Sequence, residues 1–241
     1  MAVRLLALAL WLLLCLLGYG VWPSARRRAR WAQRFLGQAA GIVGVKVRTI
    51  GAPAAAPLLL LANHVSWIDI FALAGETGTA FVAHDGLASH PLLRWLCRLN
   101  RTVFIARHKR GSVGEQTGQL RRALEEDGAV TLFPEGTTGD GTALLPFKSS
   151  LLGAIEDAAH HLSAQPVLLD YGSEAASVAW FGDEHGVTNF LRMLARARPI
   201  ALTVQFLAPL EPAERASRKT MASAAREHIL AAKAAAQRVA L

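Results

Sequence analysis

The chain has 241 residues, with 26 Lys and Arg against 18 Asp and Glu and a formal net charge of +8. That length fits one domain with attachments, and the charge calls for an anionic partner. No zinc-finger spacing, RNP-like motif or aromatic-basic repeat accompanies the charge, so nucleic acid is excluded in favour of an anionic membrane surface or a phosphate-bearing ligand. Cys15 and Cys97 are the only cysteines, which gives no disulfide framework and no metal-ligand spacing.

Residues 5–22 are almost continuously apolar, about 18 in a row and near the minimum for crossing a bilayer. Arg26, Arg27, Arg28, Arg30 and Arg34 follow the stretch, and only Arg4 precedes it. A cleaved signal peptide carries its charge in front. Here the order is reversed, and the positive-inside rule places the main domain on the cytoplasmic face of the membrane. Phe35, Leu36, Ile42 and Val43 suggest a second, interfacial helix over residues 31–45. Strands are then predicted at 45–50, 58–62, 80–83, 102–105, 129–133, 166–171, 177–181 and 200–206. Helices are predicted at 68–73, 91–99, 113–126, 151–161 and 188–197. This alternation predicts an α/β domain: a single mixed, largely parallel sheet flanked by helices, with an N-terminal membrane-anchoring helix or helix pair. An Ala-rich surface helix is expected over 213–239. The resulting division is an anchor at 1–44, a central domain at 45–212 and the C-terminal helix at 213–241.

Chemistry concentrates in two strand-to-loop junctions. Asn63-His64-Val65-Ser66-Trp67-Ile68-Asp69 follows the apolar run at 58–62. On one continuous helix, His64 and Asp69 would point roughly 140° apart. With His64 in the preceding turn and Asp69 in the first helical turn, they can meet, and the carboxylate can hold the imidazole in one tautomer. The plainer reading is a capping aspartate beside an ordinary turn histidine, with Ser66 as N-cap. The second junction is Phe133-Pro134-Glu135-Gly136-Thr137-Thr138-Gly139-Asp140-Gly141.

Together these blocks resemble the glycerolipid acyltransferases, which include the 1-acylglycerol-3-phosphate (lysophosphatidic acid) acyltransferases. Asn63, His64, Ser66 and Asp69 match the family's Asn-His-x-Ser-x-x-Asp block, and Phe133 to Thr137 match Phe-Pro-Glu-Gly-Thr. Phe104-Ile105-Ala106-Arg107 fits the Phe-Ile-x-Arg block, and Pro166-Val167-Leu168-Leu169 fits a weaker fourth. The resemblance covers residues 58–171. It implies a His64/Asp69 general-base pair, acceptor binding by Arg107, Glu135, Gly136 and Thr137, and no bound cofactor or metal. Acyl-CoA or acyl carrier protein would serve as the acyl-donor co-substrate. It also implies a helix pair dipping into one leaflet.

Departures from the family pattern bear on the acceptor. Thr138 stands where lysophosphatidic acid users often carry arginine, and Thr-Thr-Gly-Asp-Gly looks like the variant of bacterial lyso-ornithine lipid acyltransferases. The missing cation suits a zwitterionic lysolipid. His84 replaces a frequent lysine, and Ser149-Ser150 follows Lys148 where a basic-glycine pair is usual. His84 is a candidate for stabilising charge at the thioester, Lys148 for contacting phosphate, and Asn63 for supporting the site. The leading function is therefore a membrane-associated O-acyltransferase acting on a lysolipid hydroxyl. The alternatives are a lipid ester or thioester hydrolase using the same pair, or a non-catalytic membrane adaptor. No Gly-x-Ser-x-Gly elbow, His-Glu-x-x-His motif or P-loop is present.

Overall fold

A computed structural model describes residues 1–21, 24–84, 91–105, 113–153 and 162–239. Strand β2 (Leu58–Ala62) lies at its centre, and all five of its residues are buried. Strand geometry sends alternate side chains to opposite faces. Leu58, Leu60 and Ala62 join one core, and Leu59 and Leu61 join another. This explains the unbroken apolar run, because a strand covered on both faces has no polar side.

The remaining strands are β1 (Val45–Ile50), β3 (Ala80–His84), β4 (Val103–Ile105), β5 (Ala129–Leu132), β6 (Ser163–Asp170) and β7 (Ile200–Phe206). The sheet order is β1-β7-β6-β2-β5-β3-β4. Only the β6/β7 pair is antiparallel. The helices are α1 (Ala2–Val21), α2 (Ala25–Val43), α3 (Ile68–Thr77), α4 (Pro91–Leu99), α5 (Val113–Asp127), α6 (Ala175–Val178), α7 (Gly186–Ala195) and α8 (Arg218–Val239). Side chains of α2, α3 and α7 fill one core and those of α5 and α8 the other.

Helix α2 begins earlier than the expected interfacial helix and carries Leu36, Ala40 and Val43 into the same core as α3. It packs on α3 through glycines. A Cβ on Gly75 would come within 2.5 Å of the Gly37 Cα. Gly44, at φ +102, ends α2 in the left-handed conformation that glycine supplies without steric cost.

One predicted strand does not form. Residues 177–181 are not a strand: Ser177 and Val178 end the short helix α6, Ala179 N donates to Ala175 O in that helix, and Trp180 N reaches across to the Val65 carbonyl in the loop after β2. Of the predicted helix at 151–161, residues 151 and 152 belong to a 3₁₀ turn at Ser149–Leu152, and the part from residue 154 on lies outside the described residues. Pro166 opens no strand; it falls inside β6, opposite Leu61.

Candidate active site

The β2/β5 register aligns Leu61 with Leu132. Continued past the strand ends, it brings residues 63–64 beside 134–135, at the carboxyl edge where parallel α/β sheets place ligands. Glu135, 2 % exposed, locks that junction. Its Oε1 accepts the His64 backbone N–H at 2.7 Å, and its Oε2 accepts that of Leu145 at 2.9 Å. Burial pushes the Glu135 carboxyl above the usual glutamate range, against the lowering effect of those two bonds. The Gly139 N–H donates to the His64 carbonyl at 2.9 Å, fastening the second loop over the first. Gly136, at φ +69, makes the turn that this requires.

His64 and Asp69 meet. His64 Nδ1 lies 2.9 Å from Asp69 Oδ2, which also accepts the backbone N–H of Val65 at 2.7 Å and Ser66 at 2.9 Å. The Asp69 carboxylate thus reaches back to the Ser66 N–H as in a capping box, but the expected Ser66 cap does not form: the N-cap of α3 is Trp67 with no side-chain cap, and Ser66 Oγ lies 3.5 Å from the Ile68 nitrogen. Asp69 therefore both starts α3 and holds His64. An ionised carboxylate only accepts, so Nδ1 carries the proton and Nε2 has a free lone pair. The imidazole stacks on Phe133, centroids 3.9 Å apart and planes at 11°.

Tyr171 completes the cluster. Its hydroxyl donates to Asp69 Oδ1 at 2.5 Å. Burial and the adjoining carboxylate hold the phenol well above its ordinary range, so it remains a donor. In the sequence Tyr171 closes the strand predicted at 166–171 and carries no motif that marks it for the site. The signal is its position two residues beyond Leu169, whose backbone Asn63 clamps. Asn63 donates from Nδ2 to the Leu169 carbonyl at 3.0 Å and accepts the Leu169 N–H at 2.7 Å. The side-chain amide thus extends the β2/β6 ladder by one rung.

The other predicted residues fall as follows. Thr137 and Lys148 are exposed and do not line the cavity beside His64. The Thr138 hydroxyl donates to the Trp180 carbonyl. His84 ends β3, paired with Ile105 of β4. Arg107 lies outside the described residues. The cavity is lined by Asn63, His64, Glu135, Leu168, Ile229 and Lys233, among others, and the last two come from α8. Among the described residues no cluster of His, Cys, Asp or Glu is arranged to hold a metal ion.

The fold is that of an α/β protein whose mostly parallel sheet carries, at its carboxyl edge, a histidine bonded to a buried aspartate and no nucleophilic-elbow motif. Residues 45–169 match the family described as Acyltransferase. The chain is 34% identical over 215 residues to the lyso-ornithine lipid O-acyltransferase of Rhizobium meliloti (strain 1021), covering 83% of this chain and 73% of that one. It is 29% identical over 210 residues to the 1-acyl-sn-glycerol-3-phosphate acyltransferase of Neisseria gonorrhoeae, covering 87% and 82%. The crystal structure of the acyltransferase PlsC from Thermotoga maritima shares the fold, with a TM-score of 0.66 at 20% identity over 95% of this chain and 94% of that one. The chain belongs to the Acyltransferase family, in the branch that holds the lysolipid enzymes, and it is an acyltransferase.

Proposed function

We propose that the protein moves a fatty acyl chain from an acyl carrier protein or CoA thioester to the free hydroxyl of a zwitterionic lysolipid such as lyso-ornithine lipid. His64 is the general base and Asp69 its orienting partner. The observation that carries this reading is the bond from His64 Nδ1 to Asp69, which leaves Nε2 as the proton acceptor. The acceptor hydroxyl gives its proton to Nε2 as its oxygen attacks the thioester carbonyl. The tetrahedral intermediate then collapses with cleavage of the C–S bond, and the departing thiolate takes the proton back from His64. One ester bond forms, one thioester bond breaks, and no enzyme group is acylated.

Glu135 and Gly136 serve the acceptor by holding the two loops in register, with Thr137 at the exposed rim. Arg107, by family resemblance, binds an anionic group of the acceptor. His84 is assigned to the thioester side and Lys148 to a phosphate reached outside the cavity. The acceptor preference is supported by Thr138, whose hydroxyl closes a loop instead of supplying a cation, and by the lyso-ornithine lipid relative.

The reaction belongs at a membrane surface. Helix α1 is apolar along its length and leaves Leu6, Leu10, Leu13, Leu14 and Leu17 more than half exposed. The opposite side of α1 packs on α2, and Arg4 in its first turn donates to the carbonyls of Leu194 at 3.2 Å and Arg196 at 2.8 Å. That bond supports an anchor lying in one leaflet beside the domain. The arginines after α1 favour the cytoplasmic leaflet.

Detergent-purified protein given labelled acyl donor and a panel of lysolipids tests this reading by lipid mass spectrometry, with His64→Ala alongside. Label is expected in ornithine lipid, and the alanine variant should be slower by about 10²–10⁴. Label in phosphatidic acid alone would move the acceptor to lysophosphatidic acid. Donor consumed at the same rate without any acceptor would make the activity hydrolysis, and transfer independent of His64 would remove the base.

A further inference from the structure

Helix α8, expected as a surface helix, forms a wall of the catalytic cavity. Met221, Ala225 and Ile229 are buried at four-residue spacing, and Lys233 is the next position on that stripe. Arg226 beside them donates from Nε to the Leu145 carbonyl at 3.1 Å and from Nη2 to that of Leu144 at 3.0 Å. Lys233 Nζ then donates to the carbonyls of Thr142 at 2.9 Å and Gly141 at 3.3 Å. The loop leading away from Glu135 is thus strapped to α8 from residue 141 to 145.

An ammonium has three N–H donors. Two of those on Lys233 are engaged by these carbonyls, and the third has no protein acceptor among the described residues. Asp140 is near enough to feel the lysine's charge, but its carboxylate accepts from the Thr142 N–H and hydroxyl, both at 2.8 Å, and more weakly from Ala143. Ile229 and Lys233 line the cavity with His64 and Glu135, and Lys233 is the only Lys or Arg among its described lining residues. Among the described residues, Asp69 and Glu135 are the acidic groups bonded to His64, and Lys233 is the cation on the cavity wall that an entering anion would meet.

Taking the acceptor to be a lysolipid, as above, we propose that Lys233 binds the anionic group of its headgroup while the acceptor hydroxyl lies against His64. A carboxylate or a phosphate offers the same oxyanion chemistry, and the ammonium, already fixed by two carbonyls, loses little freedom on binding either. Thr138, directed at the Trp180 carbonyl, supplies no charge to that group.

The test compares full-length wild type with Lys233→Gln, which can still donate to the two carbonyls but carries no charge, and with Lys233→Arg. For the glutamine variant, the acceptor KM is expected to rise about tenfold or more, with kcat within about twofold, an unchanged donor KM and an unchanged Tm. Arginine should restore most of the loss. Running the series on lyso-ornithine lipid and on lysophosphatidic acid separates carboxylate from phosphate. Calorimetric titration of each lysolipid without donor supplies a readout independent of turnover. Lysine-dependent binding without transfer would keep this assignment and overturn the acyltransfer reading. An acceptor KM and affinity unmoved in Lys233→Gln, a fall in Tm and kcat alone, or a rise in donor KM alone would each overturn the assignment.

Discussion

Both oxygens of Asp69 are occupied: Oδ2 takes the imidazole and two backbone N–H groups, and Oδ1 takes the Tyr171 phenol. The phenol bond fixes the second oxygen and with it the plane of the carboxylate that orients His64. Tyr171→Phe should cost about 1.5–3 kcal/mol of stability for a lost bond to a charged group, and kcat/KM should fall because a less firmly held Asp69 orients the imidazole less well. A phenylalanine variant with wild-type kcat/KM would reduce Tyr171 to packing. Glu135 gives a pH signature. Its carboxyl is raised by burial, so the folded state binds its proton more tightly than the unfolded state does. The stability linked to that proton is present below about pH 4.3, the ordinary glutamate value, and is lost as pH rises through the higher folded value. The Tm difference, wild type minus Glu135→Gln, should therefore shrink as pH rises from that point toward neutrality. A difference constant with pH would contradict the sign.

At the scale of elements, the α2–α3 crossing depends on two hydrogens where side chains would otherwise stand. A methyl on Gly75 meets Gly37 backbone at 2.5 Å, whereas one on Gly41, a turn further along α2, meets nothing within 4 Å. Gly75→Ala should lower stability by about 1–3 kcal/mol as the helices are forced apart. Gly41→Ala should raise it by about 0.5–1 kcal/mol through helix propensity alone. Denaturant melts of the two variants read opposite signs, and equal effects would mean that the crossing is loose. The same distinction between local and long-range information explains what was legible in the sequence. Strand β2 and the His64–Asp69 turn were readable because run length, spacing and capping are local properties. The strand expected at 177–181 has the composition of one, but its first two residues end α6 and its Trp180 N is taken by the Val65 carbonyl, a long-range partner that no local pattern announces. Lys233 reaches the site across 92 positions, from its ammonium to the Gly141 carbonyl, and an Ala-rich helix with scattered cations does not announce which face it buries. Tyr171 was hidden in the same way, by a register that only the folded sheet fixes.

The whole molecule turns on how α1 relates to the rest. By length and composition it can cross a bilayer, and in isolation it would be read that way. Crossing would carry the first turn to the far side, yet Arg4 in that turn hydrogen-bonds two carbonyls at the end of α7. An arginine held there satisfies its charge against protein and keeps both ends of the helix on one side. On the proposed single-leaflet arrangement, the exposed leucines would sink into the near leaflet with the helix parallel to the domain surface. Burying each would gain about 1.5–3 kcal/mol, enough in combination to hold the cavity at the headgroup level where the proposed lysolipid acceptor would reside. In a background with Cys15 and Cys97 replaced by alanine, Ala2→Cys and Ser223→Cys should both react with a membrane-impermeant maleimide from the cytoplasmic side of oriented vesicles. Residue 223 reports the side on which α8 lies, and residue 2 the side reached by the start of the anchor. Labelling of residue 2 only from the opposite face would mean that α1 spans and that the Arg4 contacts do not persist in the membrane. Common sidedness would establish an acyltransferase seated on a single leaflet, drawing its acceptor from the same monolayer that holds its anchor.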